Sequence, residues 1–208
     1  MKGSNVDGQV RDWLQRWLLN VRDAEMKPQN EVTQLSGDWT RPRRGEYYFW
    51  PGHNRLHYLT NGYESKFDVD GATFRCVDWY MWYQRAKAWS PDTDLAVLIR
   101  EAESRDQAKQ LSRRCTSAAP GSEGNWGPNR LRIMARAVMR KFESSEELSR
   151  MIVSTGDGRL LYAAKWDAYY GIGFMMRDAV DRREEWGKNY LGEMLMLVRK
   201  RLNERGMT

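Results

Sequence analysis

Between Arg130 and Phe142 the apolar residues Leu131, Met134, Ala135, Val138, Met139 and Phe142 recur at offsets 0, 3, 4, 7, 8 and 11. Only a helix of 3.6 residues per turn gathers that set into one stripe, so this segment is an amphipathic helix with a buried face. The same offsets hold for Val10, Trp13, Leu14, Trp17, Leu18 and Val21, which predict a helix near the N-terminus. Between the two lies a polar connection from Lys27-Pro28 to Arg41-Pro42-Arg43-Arg44-Gly45, punctuated by Pro and Gly and ending in a basic knot. It divides the chain into an N-terminal extension, residues 1–44, and a main domain, residues 45–208.

The main domain opens with short aromatic and β-branched runs: Tyr47-Tyr48-Phe49-Trp50, Leu56 to Thr60, then Phe67 to Val69 and Ala72 to Phe74 around Asp70-Gly71. Asp-Gly tolerates the positive φ angles of a two-residue turn and predicts a hairpin. Helices follow over Asp78–Trp89, around Leu95, Leu98 and Ile99, and over Asp106–Arg114, before a loop at Ala119–Gly124. Ser144 and Glu147, three apart, have the spacing of a capping box for a helix that stops near Gly156. Leu160 to Ala164 predicts a short strand. A closing helix, Asn189–Asn203, has Leu191, Leu195, Val198 and Leu202 inward, with Arg199-Lys200-Arg201 complementing its dipole. The expected class is α+β, mainly helical, with the β elements in its first half.

With 41% hydrophobic residues in 208, the chain buries a substantial core. Its longest apolar stretches, such as Leu195 to Val198, fall far short of the roughly 20 residues of a membrane span, and Met-Lys-Gly-Ser-Asn lacks the apolar run of a signal peptide. A soluble, cytoplasmic chain without membrane partners is the expectation. Two cysteines, Cys76 and Cys115, exclude a disulfide framework or a thiolate metal cage. The net charge of +6 favours anionic partners. Ten Trp and ten Tyr against five Phe mean that most rings carry a hydrogen-bonding group and suit a wet cleft as well as a core.

Several chemistries lack their parts. His53 and His57 are four apart, but Pro51-Gly52 and Asn54 argue for a loop, and nothing completes a metal site. Gly171-Ile172-Gly173 lacks the third glycine and the βαβ setting of a dinucleotide loop. Neither a P-loop nor a Gly-x-Ser-x-Gly elbow is present, and no cofactor is indicated. Polar residues at special places remain. Asp78 opens a helix among Trp79, Tyr80, Trp82 and Tyr83, either as a cap or as a reactive carboxylate. Asp167 lies between Trp166 and the glycine-spaced Tyr169–Gly173, forming a turn or facing a cleft. Lys188 and Asn189 stand at a helix start, in a glycine-rich turn with an Asn cap or at a site for phosphate.

These residues carry a resemblance. Leu59-Thr60-Asn61-Gly62-Tyr63, Phe67-Asp68-Val69-Asp70-Gly71 and Asp78-Trp79-Tyr80-Met81-Trp82-Tyr83-Gln84-Arg85-Ala86 resemble the opening of the NADAR (YbiA-like) family. So do Ala108 to Arg113, Trp126, Met134, Lys141-Phe142, Ser154 to Asp157, Asp167 with Tyr170 to Gly173, and Gly187 to Arg199, in the family's order from about Glu46 onward. The chain departs from the pattern where the family's Glu is Asp78, its His Trp79, its Lys Arg85, its Gly Ser112 and its Trp Tyr170.

The resemblance implies a YbiA-like single domain that hydrolyses a ribosyl–base N-glycosidic bond, in a small nucleotide-like ligand of the ADP-ribose type or in ADP-ribosylated nucleic acid, guanine-linked ADP-ribose among them. Such a reaction passes through an oxocarbenium-like state that a carboxylate stabilises while another group helps the base depart. Asp78 and Asp167 are the expected catalytic pair. Asn61, Gly62, Tyr63, Gln84, Arg85, Arg113, Trp126, Tyr170, Gly171, Lys188 and Asn189 are the expected substrate contacts, with rings to sandwich a base and Arg113, Lys188 and Asn189 to hold phosphate or ribose. A shortened carboxylate and an arginine in place of lysine fit, as the alternative, a binding module that has lost hydrolysis and acts as an NAD or ADP-ribose sensor or interference protein. Residues 1–44 are a candidate protein or nucleic-acid contact.

Overall fold

A computed structural model describes residues 45–52, 55–115 and 126–206. The expected N-terminal helix, the Arg41–Arg44 knot, His53 and the Ala119–Gly124 loop lie outside the described residues. In chain order the elements are β1 (Glu46–Phe49), a 3-10 turn (His57–Leu59), β2 (Phe67–Val69), β3 (Ala72–Phe74), α1 (Val77–Trp89), α2 (Leu95–Arg100), α3 (Arg105–Ser112), α4 (Trp126–Glu143), α5 (Glu146–Val153), β4 (Arg159–Tyr162), α6 (Met176–Ala179), a second 3-10 turn (Arg183–Glu185) and α7 (Tyr190–Glu204). The fold is α+β and mainly helical, as the periodicity predicts. No helix among the described residues is long and apolar enough to cross a membrane. The chain forms two compact units: Thr60–Ser144, and a second unit that runs up to Leu59 and resumes at Ser145.

In the Thr60–Ser144 unit, β2 and β3 form the expected hairpin, with Phe67 opposite Phe74 and Val69 opposite Ala72. Asp70 and Gly71 both take positive φ, 51° and 74°, as the two-residue turn requires. The α4 stripe is buried as predicted: Leu131, Met134, Ala135, Val138, Met139 and Phe142 are all core residues. The helix also begins a turn earlier than its apolar period does, at Trp126. On α1, Trp79 donates its indole N–H to the Ile99 carbonyl at 2.6 Å and is buried, so the position where the resemblance has His is a packing position here.

The other unit is built on a parallel pair, β1 with β4, registering Glu46 with Arg159 and Phe49 with Tyr162. Leu56 to Thr60 supplies a 3-10 turn rather than extended chain. Tyr48, Leu161, Ala163, Ile172 and Ala179 form a core against which Trp50, Phe174, Met176 and Trp186 pack. Two expectations are corrected. The cap of α5 is Ser145, whose Oγ accepts from the Leu148 amide; Ser144 still belongs to the end of α4, with its amide on the Arg140 carbonyl. Arg199 does not decorate the α7 dipole in solvent. It is buried, donating to Thr155 Oγ1 at 2.7 Å and to the Gly158 carbonyl at 2.8 Å, and burial lowers its affinity for its proton.

Candidate active site

The Thr60–Ser144 unit gathers several of the expected residues around the start of α1. Thr60 to Tyr63 turns back on itself through a Tyr63 N–H to Thr60 C=O bond at 3.2 Å, and the Asp78 amide donates to the Asn61 carbonyl at 3.0 Å. That bond fixes the turn against the helix. Asp78 is not the cap, because Cys76 holds the N-cap position without a side-chain bond. Its carboxylate, in the first turn where the helix dipole favours negative charge, accepts at Oδ2 from Arg105 Nη2 at 2.7 Å. Gly62 makes the approach possible, since a Cβ there would lie 2.7 Å from Arg105 Nη2 and 3.1 Å from Asp78 Oδ2.

Three groups in this cluster are under unusual electrostatic or hydrogen-bonding conditions. Lys141 is fully buried on α4, donates from Nζ to the Thr60 carbonyl at 2.9 Å, and lies 5.3 Å from the centroid of the Tyr63 ring. Burial pulls its pKa down to about 7, against the opposing pull of Cys76 and Asp78. Asn61 donates from Nδ2 to Met134 Sδ at 3.2 Å, while its Oδ1 is buried with no hydrogen-bond partner among the described residues. A buried acceptor left unmet is costly, and such atoms mark places where a ligand or water completes the bonding. Arg105 Nε is in the same condition. Burial works against the Arg105 charge, but the bond and attraction of Asp78 outweigh it and raise the pKa of the guanidinium.

Sequence reasoning placed Asn61, Gly62, Tyr63 and Asp78 here and missed Lys141 and Arg105 as site residues. Lys141 had a signal: it follows Met134 and Val138 at seven and three positions, and so stands on the inner face of α4. Arg105 had none, because its role depends on a partner 27 positions away.

Other expected contacts lie elsewhere in this unit. Arg85, seven residues from Asp78, shares its helix face but lies about 10 Å along the axis. Its guanidinium donates to the Ser112 carbonyl at 2.8 Å and lies 5.5 Å from the Trp89 ring centroid. Gln84 faces another way. It donates to Asp70 Oδ2 at 3.2 Å, beside the Tyr80 hydroxyl at 2.7 Å and Arg136 on Oδ1 at 2.6 Å, and lines a separate cavity of about 430 Å³ with Lys87 and Arg132. Trp126 is buried edge-on to Trp89, with ring centroids 6.5 Å apart, rather than open to a base. Arg113 is exposed at the C-cap of α3.

The remaining expected residues belong to the second unit, where the structure favours the structural alternatives. Asp167 Oδ1 accepts the amides of Tyr169 at 3.1 Å and Tyr170 at 2.7 Å, and the Asp167 carbonyl accepts from Gly173. This is the turn reading. Gly171 is required at its place because a Cβ would meet the Tyr162 carbonyl at 2.6 Å and the Asp167 carbonyl at 2.8 Å. The loop so shaped offers the carbonyls of Tyr169, Tyr170 and Gly171 to the amides of Tyr190, Leu191 and Asn189. Those amides at the start of α7 are therefore taken by protein carbonyls, which corrects the expectation of a phosphate site there.

Asn189 is corrected more sharply. It is buried in the left-handed region (φ 51°), makes no side-chain cap, and clamps β4: Nδ2 donates to the Leu160 carbonyl at 2.9 Å and Oδ1 accepts the Tyr162 amide at 3.0 Å. Lys188 is exposed, with its amide on the Ala168 carbonyl at 2.8 Å. Tyr170 is half-buried and meets Tyr169 edge-on at 4.9 Å. Among the described residues no group of three or more His, Cys, Asp and Glu is placed to hold a metal.

Comparison with known proteins agrees with this architecture. A riboflavin biosynthesis protein of Vibrio vulnificus is 29% identical over 158 residues, 76% of this chain and 38% of that protein. An N-glycosidase of Acanthamoeba polyphaga mimivirus is 30% identical over 104 residues, 49% of this chain and 59% of the other. N-glycosidase YbiA of Escherichia coli is 32% identical over 78 residues, 38% of this chain and 43% of YbiA. The chain thus spans less than two thirds of the length of each of these relatives. The NMR structure of E. coli YbiA superposes with a TM-score of 0.63 at 23% identity, covering 79% of this chain and 89% of that one, a likeness of fold. The family profile of the NADAR domain matches residues 48–203, and with most of its length inside that match the chain belongs to the NADAR domain family.

Proposed function

We propose that this chain is an N-glycosidase that hydrolyses a ribosyl–base bond in a nucleotide-like or ADP-ribosylated substrate, with Asp78 as its catalytic carboxylate. One observation carries the reading: a carboxylate, a buried amine whose pKa is near neutral and an unmet carbonyl oxygen meet at the Thr60–Tyr63 turn. In the reaction the C1′–N bond breaks and its electron pair leaves with the base, which takes up a proton. Water adds its oxygen to C1′ and gives up one proton. Asp78 faces the positive charge that develops on the sugar and orients the water. Asn61 Oδ1 is the unmet acceptor beside this carboxylate. Lys141 is too deeply buried to touch substrate and acts through the field it sets at the carboxylate. The names of the mimivirus and E. coli relatives support the reaction class.

The test is chromatographic analysis of products after incubation with NAD, ADP-ribose, ribosylaminopyrimidine phosphates and ADP-ribosylated guanine. Release of a free base from one of them is the expected result, and its absence from all of them rejects the reading. A second reading, a binding module of the sensor type, draws on the Asp78–Arg105 pair, because a carboxylate already neutralised is a poor stabiliser of a cation. Calorimetry with ADP-ribose separates the two: binding without product favours the module.

A further inference from the structure

We propose that Arg105 is the specificity-determining residue of this site, a latch that holds Asp78 in the empty protein and leaves it for a phosphate group of the substrate. The inference rests on the glycosidase reading and names its substrate class: ribosyl compounds carrying a phosphate ester.

The backbone of Arg105 is anchored, because it opens α3 behind Ser104, whose Oγ accepts the Gln107 amide. Its head group is held by Asp78 and lies beside the buried Cys76 thiol. The side chain is 41% exposed and holds Asp78, itself 30% exposed, through a single nitrogen. A guanidinium is a planar fork suited to two parallel bonds, so a one-point pair uses only part of what it offers. The unpartnered Nε makes the resting pose poorer still. A phosphate has enough acceptor oxygens to take both edges of the fork, and leaving Asp78 for it exchanges an incomplete bonding pattern for a complete one.

A path for that movement exists in the surroundings. The guanidinium lies 5.4 Å from the centroid of the Trp82 ring, a face along which a cation slides without losing its attraction. Gly62 leaves the space in which the head group lies. The neighbouring cations cannot take its place. Lys141 is buried and bonded to the Thr60 carbonyl, and Arg85 is bonded to the Ser112 carbonyl about two turns along α1. The consequence is selectivity by unmasking. A phosphorylated substrate releases Asp78 for the reaction, whereas an unphosphorylated nucleoside meets a carboxylate that is still neutralised.

Calorimetry of the full chain with inorganic pyrophosphate tests the latch without any turnover. Arg105→Gln is expected to weaken binding roughly ten- to a hundredfold, the loss of a charge-assisted bond. Asp78→Asn removes the competing carboxylate and strengthens binding. Equal affinity in the wild type and Arg105→Gln overturns the inference, as does weaker binding in Asp78→Asn. Arg105→Lys, which keeps the charge and loses the fork, serves if Arg105→Gln does not fold, and affinity for pyrophosphate as high as that of the wild type likewise overturns the role. Where a cleaved substrate is found, Arg105→Gln raises KM for the phosphorylated form by a larger factor than KM for the matching nucleoside, and an equal change in both overturns the role. If pyrophosphate binding follows this pattern while no substrate is cleaved, the latch stands and the glycosidase reading falls.

Discussion

The Asp78 centre and the Asp167 loop are equals in the sequence, each an aspartate set among aromatic rings, and the structure treats them differently. Around Asp167 the polar groups close on one another: one carboxylate oxygen holds two amides, the loop carbonyls hold the start of α7, and both ends of the Asn189 amide bind β4. Around Asp78 the bonding is incomplete, with an orphaned acceptor on Asn61, an orphaned donor on Arg105 and a lysine whose pKa burial lowers to about 7. A cluster that satisfies itself is scaffold; one left short of partners retains the capacity to bind.

That contrast can be broken at its strongest point first. Asp78→Asn is expected to lower the cleavage rate about 10²- to 10⁴-fold with an unchanged circular dichroism spectrum, the range for a group acting on a proton or charge in the transition state. Asn189→Ala strikes the scaffold instead. It leaves the Leu160 carbonyl and the Tyr162 amide without partners and puts Ala at a positive φ, so urea denaturation should show a loss of roughly 2–4 kcal/mol. A loss under about 1 kcal/mol would mean that water replaces the clamp.

Lys141 sharpens the comparison through pH. Its folded pKa lies near 7, below its unfolded value, so the folded protein binds fewer protons between these limits and stability rises as pH climbs through 7 to 9. Below the folded value the cost of burying the charge is fully present. Lys141→Met should flatten that rise, which in the wild type reaches at most about 1.4 kcal/mol per pH unit. Parallel Tm curves for the two proteins over this window would remove Lys141 from the account. The smallest effect separates the two roles open to Asp167. Asn keeps an acceptor oxygen for the Tyr169 and Tyr170 amides, so Asp167→Asn should be near neutral for stability and cleavage, whereas Asp167→Ala should lose about 1 kcal/mol. A large loss of cleavage in Asp167→Asn with stability intact would restore a catalytic charge there.

What the residues revealed in advance follows from the range of the forces involved. The α4 stripe, the Asp70-Gly71 turn and the inner face of α7 depend on neighbours within a few positions, and each was legible. Ser145 rather than Ser144 as cap is a one-residue ambiguity between adjacent hydroxyls. Gln84 and Arg85 are six and seven residues from Asp78, and helical geometry alone turns only the second toward it. Asn189, Arg199 and Arg105 were not legible, since their partners at Leu160, Thr155 and Asp78 lie 29, 44 and 27 positions away. A polar residue beside a glycine reads as a cap until a strand arrives to be clamped.

The parallel pairing of β1 with β4 also bears on how the molecule is made. As the chain leaves the ribosome, Glu46 to Phe49 must wait for Arg159 to Tyr162, and the whole of Thr60–Ser144 emerges in between. That intervening unit can settle during synthesis, while the first strand stays an open edge until its partner strand emerges. High contact order of this kind slows closure and lengthens exposure of a sticky segment, so the vulnerable interval in the life of this protein is the one between the emergence of its two paired strands.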